Sequence, residues 1–218
     1  MSVARDVLVT GGTGYIGRAL VPELCSRGHR VRVLARPGSL ARVPACAEGV
    51  AGDALDAASL AQALRADDTV VHLVGTPHPN PAKAQQFLDV DLASARALAR
   101  VAARSGVAHI VYVSVAHPAP VMQEYISARL LGEQAIAAQR LTATFLRPWY
   151  VLGPGRRWPA LFKPLYGLAS MLPQWRESAE RLGLVTIEQM VRALAQAVAA
   201  PPPAGSVRIV DVPDIRAA

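Results

Sequence analysis

The sequence predicts an α/β fold, a doubly wound parallel sheet with helices on both faces and a small cap near its carboxyl end. Three observations carry that expectation. Short continuous runs of Val, Ile and Leu alternate with longer segments of helical periodicity. The runs lack the polar alternation of a sheet with one wet face, so both faces should be covered. Glycines and prolines punctuate the element ends, where a left-handed cap or a strand stop is needed.

The elements follow in order. A strand over Asp6–Thr10 leads into a helix over 15–27, closed by Gly28, and Arg30–Ala35 forms the second strand. A short third strand ends before Gly52, and Asp56 is placed to cap a helix over 57–65. A fourth strand over 69–74, a long helix over 82–104 closed by Gly106 and a fifth strand over 109–114 come next. A helix over 122–138 and a strand over 142–147, stopped by Pro148, complete the repeating part.

Beyond Arg147 the pattern changes to Gly153-Pro154-Gly155 and a Pro- and aromatic-bearing stretch through Trp175. A helix over 187–200, a Pro201-Pro202-Pro203 break and a strand over 206–210 follow. Segment 149–182 is too short for an independent domain and is expected to cap the carboxyl edge of the sheet, where ligands of such folds bind. Within it 161–172 is apolar around Lys163, with Trp158 and Trp175 nearby. That composition suits pocket lining or cap packing, with membrane or protein docking through 158–175 as the alternative.

A chain of 218 residues, 52% hydrophobic, can bury one full core, so a single domain over 1–218 is expected. No run of ~18 uncharged apolar residues is present and no charged-then-apolar leader opens the chain, so a cytoplasmic protein is expected. Cys25 and Cys46 lack Cys-x-x-Cys or histidine-ligand spacing and read as incidental thiols; no metal site is expected. The net charge of +7 fits an anionic ligand. Its arginines are dispersed, Arg156-Arg157 being the densest cluster, so nucleic acid is not the expected partner.

The most specific signal is Thr10-Gly11-Gly12-Thr13-Gly14-Tyr15-Ile16-Gly17, which joins the first strand to the first helix. Gly11 lets the chain leave the strand sharply, Gly14 lets backbone N–H groups approach a pyrophosphate, and Gly17 lets the helix pack close to the strand. The helix N-terminus then offers unpaired N–H groups and a partial positive charge to a diphosphate. Strand, turn and helix agree, so Gly11, Thr13, Gly14, Tyr15, Ile16 and Gly17 are expected to hold a dinucleotide.

NAD-specific sites place an acid about 20 residues beyond the glycines, on the adenosine ribose. This chain has Arg36 there, at the end of Val31-Arg32-Val33-Leu34-Ala35. A guanidinium attracts the 2′-phosphate that a carboxylate would repel, which favours NADP(H), with NAD(H) as the alternative. An arginine can also stack on adenine without discriminating. His72, inside the fourth strand, reads as a satisfied core histidine rather than a catalytic one.

The glycine turn resembles the opening of the short-chain dehydrogenase/reductase superfamily, in its extended and atypical branches. The resemblance spans nearly the whole chain and extends to the NmrA-like regulators and the accessory-subunit-like reductases of respiratory complex I. It implies a Rossmann fold and further site residues. Gly52-Asp53-Ala54 resembles the segment whose Asp accepts from the adenine amino group, and Val74-Gly75-Thr76 matches the place where the backbone passes the cofactor. Leu146-Arg147-Pro148-Trp149 through Gly155 resembles the segment beneath the nicotinamide, so Pro148 and Trp149 join the cofactor set.

The family's Tyr-x-x-x-Lys pair appears here as Tyr125-Ile126-Ser127-Ala128-Arg129. Four-residue spacing sets both side chains on one helix face, where the cation steadies a phenolate and the tyrosine exchanges a proton with a carbonyl or alcohol. Arg129 keeps the charge but cannot relay a proton as lysine can. Ser114, at the end of the fifth strand, stands where the family orients the reacting oxygen. Asp91 replaces the Asn of many relatives and is left outside the catalytic set. The resemblance implies an NADP(H)-dependent oxidoreductase of a small carbonyl or alcohol substrate with Tyr125, Ser114 and Arg129 at its centre. A non-catalytic NAD(P)H sensor or assembly factor, or an epimerase with bound NAD, are the alternatives.

Overall fold

Strands β1 (Asp6–Thr10), β2 (Arg30–Ala35), β3 (Glu48–Ala51), β4 (Thr69–His72), β5 (His109–Val113), β6 (Ala143–Leu146) and β9 (Val207–Val210) form one sheet in a computed structural model that describes residues 3–154 and 182–218. Every pairing is parallel, in the order β3-β2-β1-β4-β5-β6-β9. The order reverses between β1 and β4, which opens a crevice at their carboxyl ends. Strands β7 (Tyr150–Leu152) and β8 (Leu184–Thr186) pair separately, also in parallel.

The α-helices of six or more residues among the described residues are α1 (Gly17–Ser26), α2 (Ala57–Ala63), α3 (Ala93–Ser105), α4 (Gln123–Ala137), α5 (Ile187–Ala199) and α6 (Val212–Ala217). Strand periodicity assigns them to two layers. Val7, Val9, Val33, Val71 and Val111 face Leu20, Leu24, Met190 and Leu194 of α1 and α5. Leu8, Leu34, Val70, Ile110 and Tyr112 face Leu60, Leu98 and Ile136 of α2, α3 and α4. The doubly wound Rossmann sheet anticipated from the sequence is therefore present, with an apolar core on each face.

Local signals hold where they have a stated cause. The Asp56 carboxylate accepts from the backbone N–H groups of Ala58 and Ser59 and caps α2. Gly106 closes α3 at φ +68°, in the left-handed region. Thr186 and Gln189 form a reciprocal capping box at the start of α5. The sequence does not reveal that Arg32, in mid-strand, is buried and paired at 2.7 Å with the fully buried Asp68.

Three expectations need correction. The long helix over 82–104 is broken: a 3-10 turn at Pro81–Lys83 and a short helix at Ala84–Gln86 precede a π-helical run at Phe87–Leu92, and only then does α3 begin. Strand β4 ends at His72: the Leu73 N–H still reaches the Thr10 carbonyl at 3.0 Å, and Val74, Gly75 and Thr76 beyond it line the crevice. Strand β5 ends at Val113, one residue before Ser114.

His72 is fully buried, with Nδ1 2.7 Å from Thr10 Oγ1 and Nε2 3.2 Å from Ser94 Oγ. Burial pushes its pKa down to about 3, so it sits neutral in the core, as read from sequence. Cys25 Sγ donates to the Cys46 carbonyl at 3.3 Å, and burial raises its pKa to about 12, so it stays a thiol. No described helix is long and apolar enough to cross a membrane. Arg156, Arg157, Trp158, Lys163 and Trp175, and with them the proposed docking segment, lie outside the described residues.

Candidate active site

Two chambers meet in the crevice over the carboxyl ends of β1 and β4. The first, about 480 Å³, runs from Gly11, Thr13 and Gly14 past Arg36, Asp53 and Ala54 to Val74 and Gly75. The second, about 250 Å³, contains Tyr15, Ile16, Gly17, Gly75, Thr76, Ser114, Tyr125, Arg129, Pro148 and Trp149. Gly11, Gly14, Leu73, Gly75 and Pro77 line both, so the glycine turn is the bridge between them. Every site residue read from the sequence thus lies along one continuous cleft.

The turn has the shape a dinucleotide needs. Gly11 stands at φ +75°, where a Cβ would lie 2.9 Å from the Leu73 carbonyl carbon. Gly14 is exposed and donates its N–H to the Gly11 carbonyl at 3.0 Å. Helix α1 begins with no side-chain cap, and the Arg18 N–H bonds to the Gly14 carbonyl at 3.0 Å, so the helical hydrogen bonding reaches back into the glycine turn that lines the cleft. Arg18 is exposed and lines neither chamber.

The adenosine end carries more than Arg36. The 3-10 turn at Pro37–Arg42 brings Ser39 and Arg42 into the same chamber, with Arg42 Nη2 donating to Ser39 Oγ at 2.7 Å. Sequence reading missed both, because their approach depends on that turn. Asp53 lines the chamber and accepts the Leu55 N–H at 3.0 Å, which fixes its carboxylate.

The other chamber holds the chemistry. Helix α4 presents Tyr125 and Arg129 on one face, and β5 delivers Ser114. Ser114 is 2% exposed and its buried hydroxyl has no hydrogen-bond partner among the described residues, the state expected of a group kept for a ligand oxygen. Tyr125 packs edge-on against Phe87, ring centroids 5.1 Å apart, and the Arg129 guanidinium lies 5.4 Å from the Tyr125 ring centroid. Burial works against the Arg129 charge, but Tyr125, Tyr112 and Asp91 outweigh it and hold its pKa above the ordinary arginine value. It remains a fixed cation.

Asp91, left outside the catalytic set on sequence grounds, is not a solvated acid. It is fully buried and pairs with Arg129 Nη2 at 2.8 Å. A signal was available: Asp91, Ser94, Ala95 and Leu98 fall at i, i+3, i+4 and i+7, all on the buried stripe. An acid on such a stripe requires a buried partner.

Residues 7–211 match the sequence profile of the NAD dependent epimerase/dehydratase family. The chain belongs to this family, within the extended short-chain dehydrogenase/reductases. It is 29% identical over 217 residues to a ceramide reductase of Caulobacter vibrioides, covering 96% of this chain and 66% of that protein. It is 35% identical over 114 residues to a 3 beta-hydroxysteroid dehydrogenase/Delta 5-->4-isomerase of Mycobacterium tuberculosis, covering 50% of this chain and 31% of that one. The chain thus spans from about a third to just under two thirds of the length of these relatives. The fold matches a short-chain dehydrogenase/reductase superfamily protein of Agrobacterium tumefaciens with bound NAD, with TM-score 0.69 and 20% identity, over 94% of this chain and 77% of that one.

Proposed function

We propose that this chain is an NADP(H)-dependent oxidoreductase that acts on a carbonyl or alcohol carried by a largely apolar molecule. The observation that carries it is the unpartnered, buried Ser114 hydroxyl sharing a chamber with Tyr125 at the end of the dinucleotide cleft. When bound, the nicotinamide supplies or takes up the hydride. Tyr125 gives the proton to the carbonyl oxygen, or removes it from the alcohol, Ser114 orients that oxygen, and the Arg129 charge steadies the phenolate. Because Arg129 never deprotonates, the proton that resets Tyr125 comes from water in the cleft rather than along the cation.

The walls of the reacting chamber support the substrate class. Leu73, Pro77, Pro79, Val113, Val115, Trp149 and Val151 line it, and its one cation among the described arginines and lysines, Arg129, is already paired. The ceramide and steroid named for the relatives point the same way. Steady-state assay of NADPH oxidation against ketones and aldehydes of increasing apolar chain length tests the reading. Turnover that strengthens with chain length is expected; no turnover with any carbonyl leaves the cofactor-holding sensor as the function.

The NADP preference rests on Arg36, with Arg42 and Ser39 beside it. Charge-assisted bonds to a phosphate contribute about 1.5–3 kcal/mol. Arg36→Asp should therefore weaken NADPH binding by about 10- to 100-fold and leave NADH binding equal or tighter, measured by fluorescence titration. Equal affinity of the unaltered protein for both dinucleotides overturns the preference.

A further inference from the structure

The Asp91 carboxylate is hydrogen-bonded through one oxygen and ion-paired through the other. Oδ2 accepts from the Thr76 N–H at 2.9 Å and the Thr76 hydroxyl at 2.6 Å, and Oδ1 faces Arg129 Nη2 at 2.8 Å. Arg129 Nη1 donates to the carbonyls of Val74 at 3.2 Å and Val113 at 3.0 Å. Asp91 itself lies in the π-helical run, and its carbonyl accepts from Ser94 Oγ at 3.2 Å. A π segment inside a helix displaces side chains from their regular register and recurs at functional sites. Here it carries an acid that pairs with Arg129, the one arginine or lysine among the described residues that lines the reacting chamber. Asp91 is fully buried and lines neither chamber, so it cannot touch a substrate.

We propose that Asp91 is a positioning residue: its carboxylate clamps the Arg129 guanidinium between the Val74 and Val113 carbonyls and so fixes Tyr125 against Ser114. The inference rests on the oxidoreductase reading of that chamber. A buried guanidinium on a flexible stem keeps one position only while its charge and donors are matched. The Arg129 Nη2 atom lies against Gly75, which has no side chain to fend it off. Without the carboxylate, the cation moves into the cleft to find water, and Tyr125 loses the neighbour that aligns it. Misplacement of a reacting group by about 1 Å costs on the order of 100-fold in rate.

The test compares Asp91→Asn, Arg129→Met and the double variant in the full chain. Asp91→Asn should lower kcat by about 100-fold with KM for NADPH within about threefold. Because Asp91 acts through Arg129, the double variant should be no slower than Arg129→Met alone. Single effects that multiply, or an unchanged kcat in Asp91→Asn, overturn the proposal. If Asp91→Asn does not fold, Thr76→Val removes one donor to Asp91 without altering charge. It should lower kcat by about 3- to 10-fold, and an unchanged kcat overturns the proposal.

If the unaltered protein turns over no carbonyl, the oxidoreductase reading falls and the clamp is read without turnover. In fluorotyrosine-labelled protein the Tyr125 resonance, assigned by its loss in Tyr125→Phe, should shift in Asp91→Asn and take the same position in the double variant as in Arg129→Met. A Tyr125 resonance unmoved by Asp91→Asn overturns the clamp.

Discussion

Gly17→Ala is expected to destabilise the fold by about 3 kcal/mol, seen as a fall in Tm of ~10 °C, and to abolish dinucleotide binding. A Cβ at Gly17 would stand 2.5 Å from both the carbonyl carbon and the oxygen of Gly12, and these are backbone atoms that cannot swing aside. Relief requires α1 to move off β1, which opens the face where Leu20 and Leu24 pack and moves the helix N-terminus away from the phosphates. Gly14→Val separates the two consequences. The contact a Cβ would make there is a single one, 3.1 Å from the Gly11 carbonyl oxygen, and the position is exposed. That variant should keep a Tm close to the parent yet lose NADPH and NADH alike, since the side chain fills the place of the pyrophosphate. Calorimetry beside fluorescence titration checks both; NADPH binding retained in Gly14→Val would show that the phosphates do not cross the turn.

Tyr125→Phe should lower kcat by about 10³-fold while the NADPH dissociation constant stays within about twofold. The phenol oxygen is the proton-exchanging group that α4 brings to the chamber, one turn from Arg129, which is a fixed cation paired with Asp91. The Tyr125 ring packs against Phe87, and phenylalanine preserves that contact, so stability should hardly change. Stopped-flow NADPH oxidation with the best carbonyl of the panel, together with a binding titration, reads the two effects apart. Equal turnover in Tyr125→Phe and the parent would remove the tyrosine from the chemistry and with it the assignment of Ser114.

The fold was legible because its signals are local. A strand buried on both faces is written as consecutive apolar residues, a cap as Asp56 or Gly106, and a phosphate turn as glycines at fixed intervals. The boundaries that failed belong to places where tertiary contacts compete with the local ladder. The π-helical run is the clearest: the sequence from Pro81 to Ser105 has helical composition throughout, and periodicity alone gives no reason for a change of hydrogen-bond pattern at Phe87–Leu92. Within that run Asp91 meets Thr76, from the segment after β4, and Arg129 of α4, contacts that no local pattern announces.

The sequence by itself determined that this chain builds a parallel sheet with a dinucleotide turn at its first crossover, and that a tyrosine and an arginine share one helix face. Those are properties of spacing, set by the periods of strand and helix. The tertiary structure alone decided what these groups face. It left the Ser114 hydroxyl without a partner, folded Arg42 and Ser39 back beside Arg36, and bound Arg129 to Asp91. Charge and hydrogen bonding act through space over a few ångströms, whichever segments bring the groups there, so their pairing is set by the packing of the sheet and not by order along the chain.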